Sequence, residues 1–145
     1  MLETRKLEDD DLTAAYAVMK QLRVHLECVE FKDRVRRQHM YGYTIFGAFD
    51  ENGVLRGVVG MRPVSTLARG DHLHIDDLVV DESVRGHGVG RDLLRFAEGW
   101  ALSHGLGNIF LDSRPEVSTF YEKFGYTPHS ATLMRKRIAS SDLTT

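Results

Sequence analysis

The run VRGHGVGR, residues 84–91, puts Arg85 and Arg91 around three glycines, Gly86, Gly88 and Gly90. It follows an apolar stretch, Leu78-Val79-Val80, and opens a segment with helical spacing. The first amides of a helix have no acceptors inside it, and the helix dipole adds partial positive charge there. Glycines remove the Cβ atoms that would hold a bulky anion off the backbone. Arg85 adds a fixed charge whose fork matches phosphate oxygens. The chemistry that fits is the binding of a phosphate or diphosphate. Two familiar phosphate loops do not match. The dinucleotide fingerprint would need glycine at Arg91 or Leu93, and a P-loop would need Gly-Lys-Ser/Thr where Val89-Gly90-Arg91 stands. The pattern present is R-x-x-G-x-G, on Arg85, Gly88 and Gly90.

Just upstream, HLHIDD (72–77) offers His72, His74, Asp76 and Asp77 for acid–base work. Strand alternation puts His72, His74 and Asp76 on one face and Asp77 on the other, unless a bulge intervenes. The same three-residue face has a spacing compatible with a metal, but alternate histidines are common by chance and no metal is expected. Cys28 is the one cysteine. It cannot form an internal disulfide, has no evident His partner for nucleophilic work, and is expected as a small buried apolar residue.

These groups need elements to position them. Residues 9–23 read as a helix capped by Asp9, Asp10 or Asp11, with Leu12, Ala15, Tyr16, Met19, Leu22 and Arg23 along one face. A weaker helical pattern covers 26–40 and ends in RVRRQH, read as a solvated charged face. The period then changes. Strands are expected over 43–50 and 54–64, joined by the turn signal ENG, and over 71–80. A helix follows over 89–104, with Val89, Leu93, Phe96, Ala97, Trp100 and Ala101 on one face. A strand at 108–113, a short helix at 117–125, a last strand at 131–138 and a frayed tail complete the chain. This order implies an α/β (α+β) sheet with helices on its faces, in one domain over 1–145.

The bulk properties exclude other classes. Of 145 residues, 42% are hydrophobic and 28% charged, with net charge −2, so nothing draws the chain toward nucleic acid or a membrane surface. No apolar run approaches a spanning helix. The acidic start MLETRKLEDDD lacks a signal core, and the single cysteine suits a reducing compartment. A cytoplasmic location is expected.

The segment LVVDESVRGHGVGRDLLRFAEGWA resembles the acetyl-coenzyme A binding segment of the GCN5-related N-acetyltransferases (the GNAT family). Further on, RPEVSTFYEKFGYTP resembles that family's second signature, F-Y-x-x-x-G-[FY]. The likeness is sharp over 73–128 and extends in element order over 3–138. It is similar in particular to short members acting on small amines, including aminoalkylphosphonate acetyltransferases, with the pattern R-h-x-A-h-x-F-Y. Here Val117 replaces the usual Ala, Ser118 the usual His, and Arg114 stands where many members carry Asn.

The resemblance implies the GNAT fold: a mixed, mostly antiparallel sheet that splays between the strands at 73–80 and 108–113. It implies that Leu78, Val79 and Val80 pair with the pantetheine arm of acetyl-coenzyme A. The diphosphate would sit on Arg85, Gly86, His87, Gly88, Val89, Gly90 and Arg91, and Phe120 would also line the coenzyme site. A backbone N–H near Leu78 would stabilise the oxyanion. Tyr121 occupies the position of the family's general acid, while Phe124 and Tyr126 are expected as core. Asp77 resembles a position often acidic in the family, and the base is expected at Asp77 or Asp76, then His74. The implied activity is acetyl transfer to a primary amine of a small molecule, by a homodimer, with acceptor choice in 23–43 and 125–132. Arg34, Arg36, Arg37 and His39 there would suit an acidic acceptor. Alternatives are a protein lysine or N-terminal acetyltransferase and a non-catalytic coenzyme-binding module.

Overall fold

Alternating and β-branched residues in the middle of the chain build a sheet whose two faces are both apolar. The computed structural model describes residues 2–139. Its strands are β1 (Glu3–Lys6), β2 (Thr44–Phe49), β3 (Leu55–Thr66), β4 (Gly70–Val80) and β5 (Ile109–Leu111). The helices are α1 (Leu12–Met19), α2 (Cys28–His39), α3 (Val89–Ser103) and α4 (Ser118–Glu122). The strands lie in sequence order, β1-β2-β3-β4-β5. The first three pairings are antiparallel and β4–β5 is parallel. The fold is therefore the mixed α/β architecture expected.

The chain divides into two compact units, Met1–Asp112 and Ser113–Thr145. The first holds the whole sheet. Leu12, Ala15, Val18 and Met19 of α1 pack with Phe31 of α2 and with Tyr43, Ile45, Val58 and Val79 of the sheet. On the opposite face α3 buries Val89, Leu93, Leu94, Ala97 and Ala101. The Phe46 ring packs tilted against Phe96 there, ring centroids 4.8 Å apart. Gly57 lies beneath this helix, where any Cβ would strike Val89 and Leu93.

Several expectations are corrected. β1 was not foreseen, because ETRK is polar throughout and shows no alternation. The helix expected over 9–23 is a 3-10 turn, Asp9–Asp11, followed by α1, which ends at Met19. Glu8 N–H donates to Asp11 Oδ2 at 2.7 Å, a local bond that competes with regular helix. Val18 is buried although it was not assigned to the apolar face. The 108–113 strand shrinks to Ile109–Leu111, and the 117–125 helix to a 3-10 turn (Pro115–Val117) plus α4. The strand expected at 131–138 is absent; that segment has no ladder partner among the described residues, and Leu133, Met134 and Ile138 are exposed. Apart from Ala139, the tail expected to fray lies outside the described residues. Cys28 is half-exposed at the start of α2 rather than buried. In RVRRQH, Arg34 pairs with Glu30, and Arg36 with Asp9 and Asp33.

Candidate active site

β4 carries His74, Asp76 and Asp77 and leads into the glycine turn. Its pairing with β5 covers only Leu73, His74 and Ile75, opposite Ile109, Phe110 and Leu111. Beyond Ile75, no strand among the described residues pairs with that edge of β4. On the other edge β3 continues, with Val59 opposite Leu78, Val58 opposite Val79 and Gly57 opposite Val80. Asp81 N–H donates to Arg56 C=O at 2.8 Å, which makes Arg56/Asp81 a hydrogen-bonded pair. Antiparallel pairs alternate between bonded and non-bonded, so Val79 bonds to β3, while Leu78 and Val80 direct their N–H and C=O groups outward. The sheet thus splays where the sequence resemblance implied: Leu78 turns both main-chain groups to the open edge and Val80 its N–H, while the Val80 C=O accepts from Arg85 Nε at 3.3 Å.

The register shifts between Gly60 and Met61: Gly60 faces Asp77 and Met61 faces Ile75. Asp76 is therefore the extra residue of a bulge. This overturns the simple alternation, which set Asp77 apart from His74 and Asp76. Ile75 pairs with Met61, whereas Asp77 pairs with Gly60 and lies on the Tyr43 side of the sheet. The two carboxylates are both engaged. Arg23 donates to Asp77 Oδ1 from Nε at 3.1 Å and Nη2 at 2.9 Å, and Nη2 also donates to Asp76 C=O at 3.1 Å. Tyr43 O–H donates to Asp77 Oδ2 at 2.8 Å. Burial holds that phenol well above its ordinary pKa, with the Asp77 charge adding to the effect, so it stays a donor. Arg62 donates to both Asp76 oxygens, at 2.8 and 3.2 Å.

His74 Nε2 lies 3.7 Å from both Asp76 Oδ1 and Asp112 Oδ2. Burial pushes its pKa below the ordinary imidazole value, against the pull of the two carboxylates. His72 is buried, its Nδ1 3.0 Å from Gly70 C=O, and its ring meets Phe110 edge-on. Among the described residues no three His, Cys, Asp or Glu converge as metal ligands.

After β4 the chain is tied before it loops out. Gln21 Nε2 donates to Asp81 Oδ1, and Glu82 N–H donates to Gln21 Oε1. Ser83 Oγ donates to Asp81 Oδ2. Arg85, Gly86 and His87 are then exposed, and Arg85 Nε caps Val80 C=O at 3.3 Å. Gly86 and Gly88 both have φ of +86°, a conformation that L side chains resist. Gly86 is exposed, and a Cβ there would meet no atom within 4 Å. Gly88 is the N-cap of α3, and the first i→i−4 bond is Asp92 N–H to Gly88 C=O. The amides of Val89, Gly90 and Arg91 precede it and have no helical acceptors. Arg91 pairs with Asp92 at 3.4 Å.

Phe120 and Tyr121 belong to the second unit. Their rings meet edge-on at 5.1 Å, and Tyr121 meets Tyr126 likewise at 6.0 Å. Phe124 and Tyr126, expected as core, are half-buried. Burial raises the Tyr121 phenol above its ordinary pKa, with the Arg114 charge opposing.

The structure therefore gathers His74, Asp76, Asp77, the free edge at Leu78 and Val80, and the glycine loop into the first unit. Sequence reasoning missed Arg23, Tyr43, Arg62, Asp112 and Gln21 as their partners. Arg23 left one trace: it is the charged residue on an otherwise apolar helical face. The others are joined only by long-range pairing.

Known proteins share this plan. A model of the acetyltransferase (GNAT) family matches residues 5–126. An uncharacterised N-acetyltransferase of Bacillus subtilis is 32% identical over 134 residues, covering 89% of this chain and 93% of its own. The glucosamine 6-phosphate N-acetyltransferase of Trypanosoma brucei brucei is 30% identical over 135 residues, covering 88% and 90%. The crystal structure of glucosamine-6-phosphate N-acetyltransferase from Arabidopsis thaliana superposes with a TM-score of 0.77 at 27% identity, covering 96% of this chain and 99% of that one.

Proposed function

We propose, given that the chain belongs to the acetyltransferase (GNAT) family, that it moves an acetyl group from acetyl-coenzyme A to the primary amine of a small molecule by direct attack. One observation carries the reading. The edge of β4 left free beyond Ile75 runs directly into a glycine turn with Gly86 exposed and a helix N-terminus behind it. An extended pantetheine arm and a diphosphate need that continuity of outward main-chain groups and anion-binding amides.

When bound, acetyl-coenzyme A supplies a thioester carbonyl open to an amine. Arg85 and the main chain from Gly86 through His87, Gly88, Val89 and Gly90 to Arg91 hold the diphosphate. Leu78 and Val80 pair with the arm as a neighbouring strand would, with Val79 anchoring them to β3, and Phe120 contributes an aromatic wall. The Leu78 N–H donates to the carbonyl oxygen as negative charge collects there. Asp77 and Asp76 are committed to Arg23 and Arg62, whereas burial favours the neutral imidazole of His74. His74 is thus the base that accepts the ammonium proton, freeing the nitrogen lone pair. Tyr121 Oη gives its proton to the sulfur released as the C–N bond replaces the C–S bond; a phenol and a thiol are close enough in pKa for this transfer.

The trypanosome and Arabidopsis proteins are named for a small amino sugar phosphate, which favours a small acceptor over a protein side chain. The reading extends to one catalytic domain acting as a homodimer in the cytoplasm. The test is thiol release from acetyl-coenzyme A with amino sugars, aminoalkylphosphonates, polyamines and lysine peptides. Turnover confined to the peptides would move the assignment to a protein lysine or N-terminal acetyltransferase.

A further inference from the structure

The apolar run Leu78-Val79-Val80 does not by itself choose a register on β3. Register is strongly specified only where a one-residue slip exchanges apolar for polar groups across a buried face. Here a slip would replace one aliphatic side chain with another. If the pairing continued from Met61/Ile75 without a bulge, Gly60 would face Asp76, Val59 would face Asp77 and Val58 would face Leu78. Val58 directs its main-chain groups toward β4, because Val58/Val79 is a hydrogen-bonded pair in the observed register. In the slipped register those groups would take the Leu78 N–H and C=O. The outward direction of the Leu78 amide therefore exists only because Asp76 is bulged.

What opposes the slip is polar and specific. Arg23, just beyond the end of α1, grips Asp77 Oδ1 with two nitrogens and the bulged residue's own carbonyl, Asp76 C=O, with one of them. Tyr43, 3% exposed, reaches the second Asp77 oxygen from the position just before β2. Its hydroxyl fills the volume that a Cβ on Gly60 would need, so Gly60 is the residue that lets Tyr43 stand beside Asp77. In the slipped register Asp77 would face Val59 and leave the Gly60 position, parting from both donors. Arg23 follows α1 and Tyr43 immediately precedes β2, so the two fix the bulge from separate segments of the chain.

We infer that Arg23 and Tyr43, through the Asp77 carboxylate and the Asp76 carbonyl, lock the bulge and so act as positioning residues for the Leu78 N–H that serves acetyl transfer. The inference rests on the proposed role of Leu78 in that transfer. The lock itself is measurable without any substrate. In the coenzyme-free protein, hydrogen exchange followed by NMR is expected to show the Val79 amide protected by its bond to Val58 and the Leu78 amide exchanging faster. Arg23→Met is expected to shrink or reverse that contrast and to lower kcat by about 10²–10³-fold, the scale of a lost oxyanion donor. The KM for the amine is expected to change much less. Arg23→Lys retains the charge but cannot grip Asp77 and Asp76 together, and is expected to fall between the two. It carries the same exchange readout should Arg23→Met not fold. An unchanged Leu78/Val79 contrast in the folded variant overturns the lock, whatever its activity. A reversed contrast with undiminished turnover overturns the positioning role, and with it the use of Leu78 as oxyanion donor, while leaving the assignment as an acetyltransferase intact.

Discussion

Tyr121 and Arg85 divide the proposed chemistry between proton transfer and anion binding, and each can be tested by one substitution. The Tyr121 phenol is held above its ordinary value by burial, so it remains protonated through neutral pH and is available as an acid. Tyr121→Phe removes the proton while keeping the ring that packs on Phe120 and Tyr126. It is expected to cut kcat by about 10²–10⁴-fold, with coenzyme affinity nearly unchanged by calorimetry. A full-rate variant would take Tyr121 out of the mechanism. Arg85→Ala should do the reverse. Its side chain is exposed and, among the described residues, bonds to the Val80 carbonyl on the surface, so the fold should not notice its loss. Coenzyme affinity should drop by about ten- to a hundred-fold, the scale of a charge-assisted hydrogen bond, with kcat at saturation nearly retained. Unaltered affinity would place the diphosphate elsewhere. Arg85 stood out in the sequence because a fixed charge beside glycines is a local pattern, whereas Tyr121 was singled out through the resemblance of its segment to the family's second signature.

At the scale of elements, the hairpins, α3 and the glycine turn were legible because their signals are periodic or confined to a few residues. β1 was not, since a polar four-residue edge strand takes its identity from the partner it meets. Nor was the absence of a strand at 131–138, where a run with strand-like composition pairs with no strand among the described residues. The bulge at Asp76 was anticipated only as a possibility, because alternation cannot say where an extra residue is absorbed. Gly60 offers an independent probe of it. Gly60→Ala drives a methyl into the Tyr43 hydroxyl, which must leave Asp77 or displace β2. The variant is expected to lose about 1–3 kcal/mol in urea denaturation, the usual cost of overpacking a core. Stability equal to wild type would show that Tyr43 moves aside freely, and would remove it from the lock.

Across the molecule, carboxylates tie distant segments together and set the response to acid. Asp50 holds the β2–β3 turn through the Val54 and Asn52 amides and Arg56, and its pKa is depressed chiefly by the Val54 N–H. Asp81 is lowered first by Gln21, Asp11 by Arg5 and Asp9 by Arg36. A group whose folded pKa lies below its unfolded one stabilises fully above the unfolded value and loses that contribution as pH falls toward the folded one. For these aspartates the loss starts near pH 4; for His74, also depressed, it starts near 6.5. Thermal scans should therefore show a shallow fall in Tm setting in as pH drops below about 6.5 and a steeper one below about 4. Asp50→Asn should flatten the steep limb while lowering Tm at pH 7. A Tm that stays level from pH 7 to 3 would contradict these ties.

The chain alone determined the mixed α/β class and the glycine-rich turn after Val80, because each is written in neighbouring residues and their spacing; the family was legible through the resemblance of two local segments. Only the tertiary structure decided which main-chain groups of β4 face outward, that Asp76 and Asp77 are taken by Arg62 and Arg23, and that Tyr43 needs Gly60. Those facts depend on strand register and on contacts between residues 14 to 54 positions apart. No local pattern encodes such distances, since pairing across a sheet is settled by the competition among whole registers rather than by any one side chain.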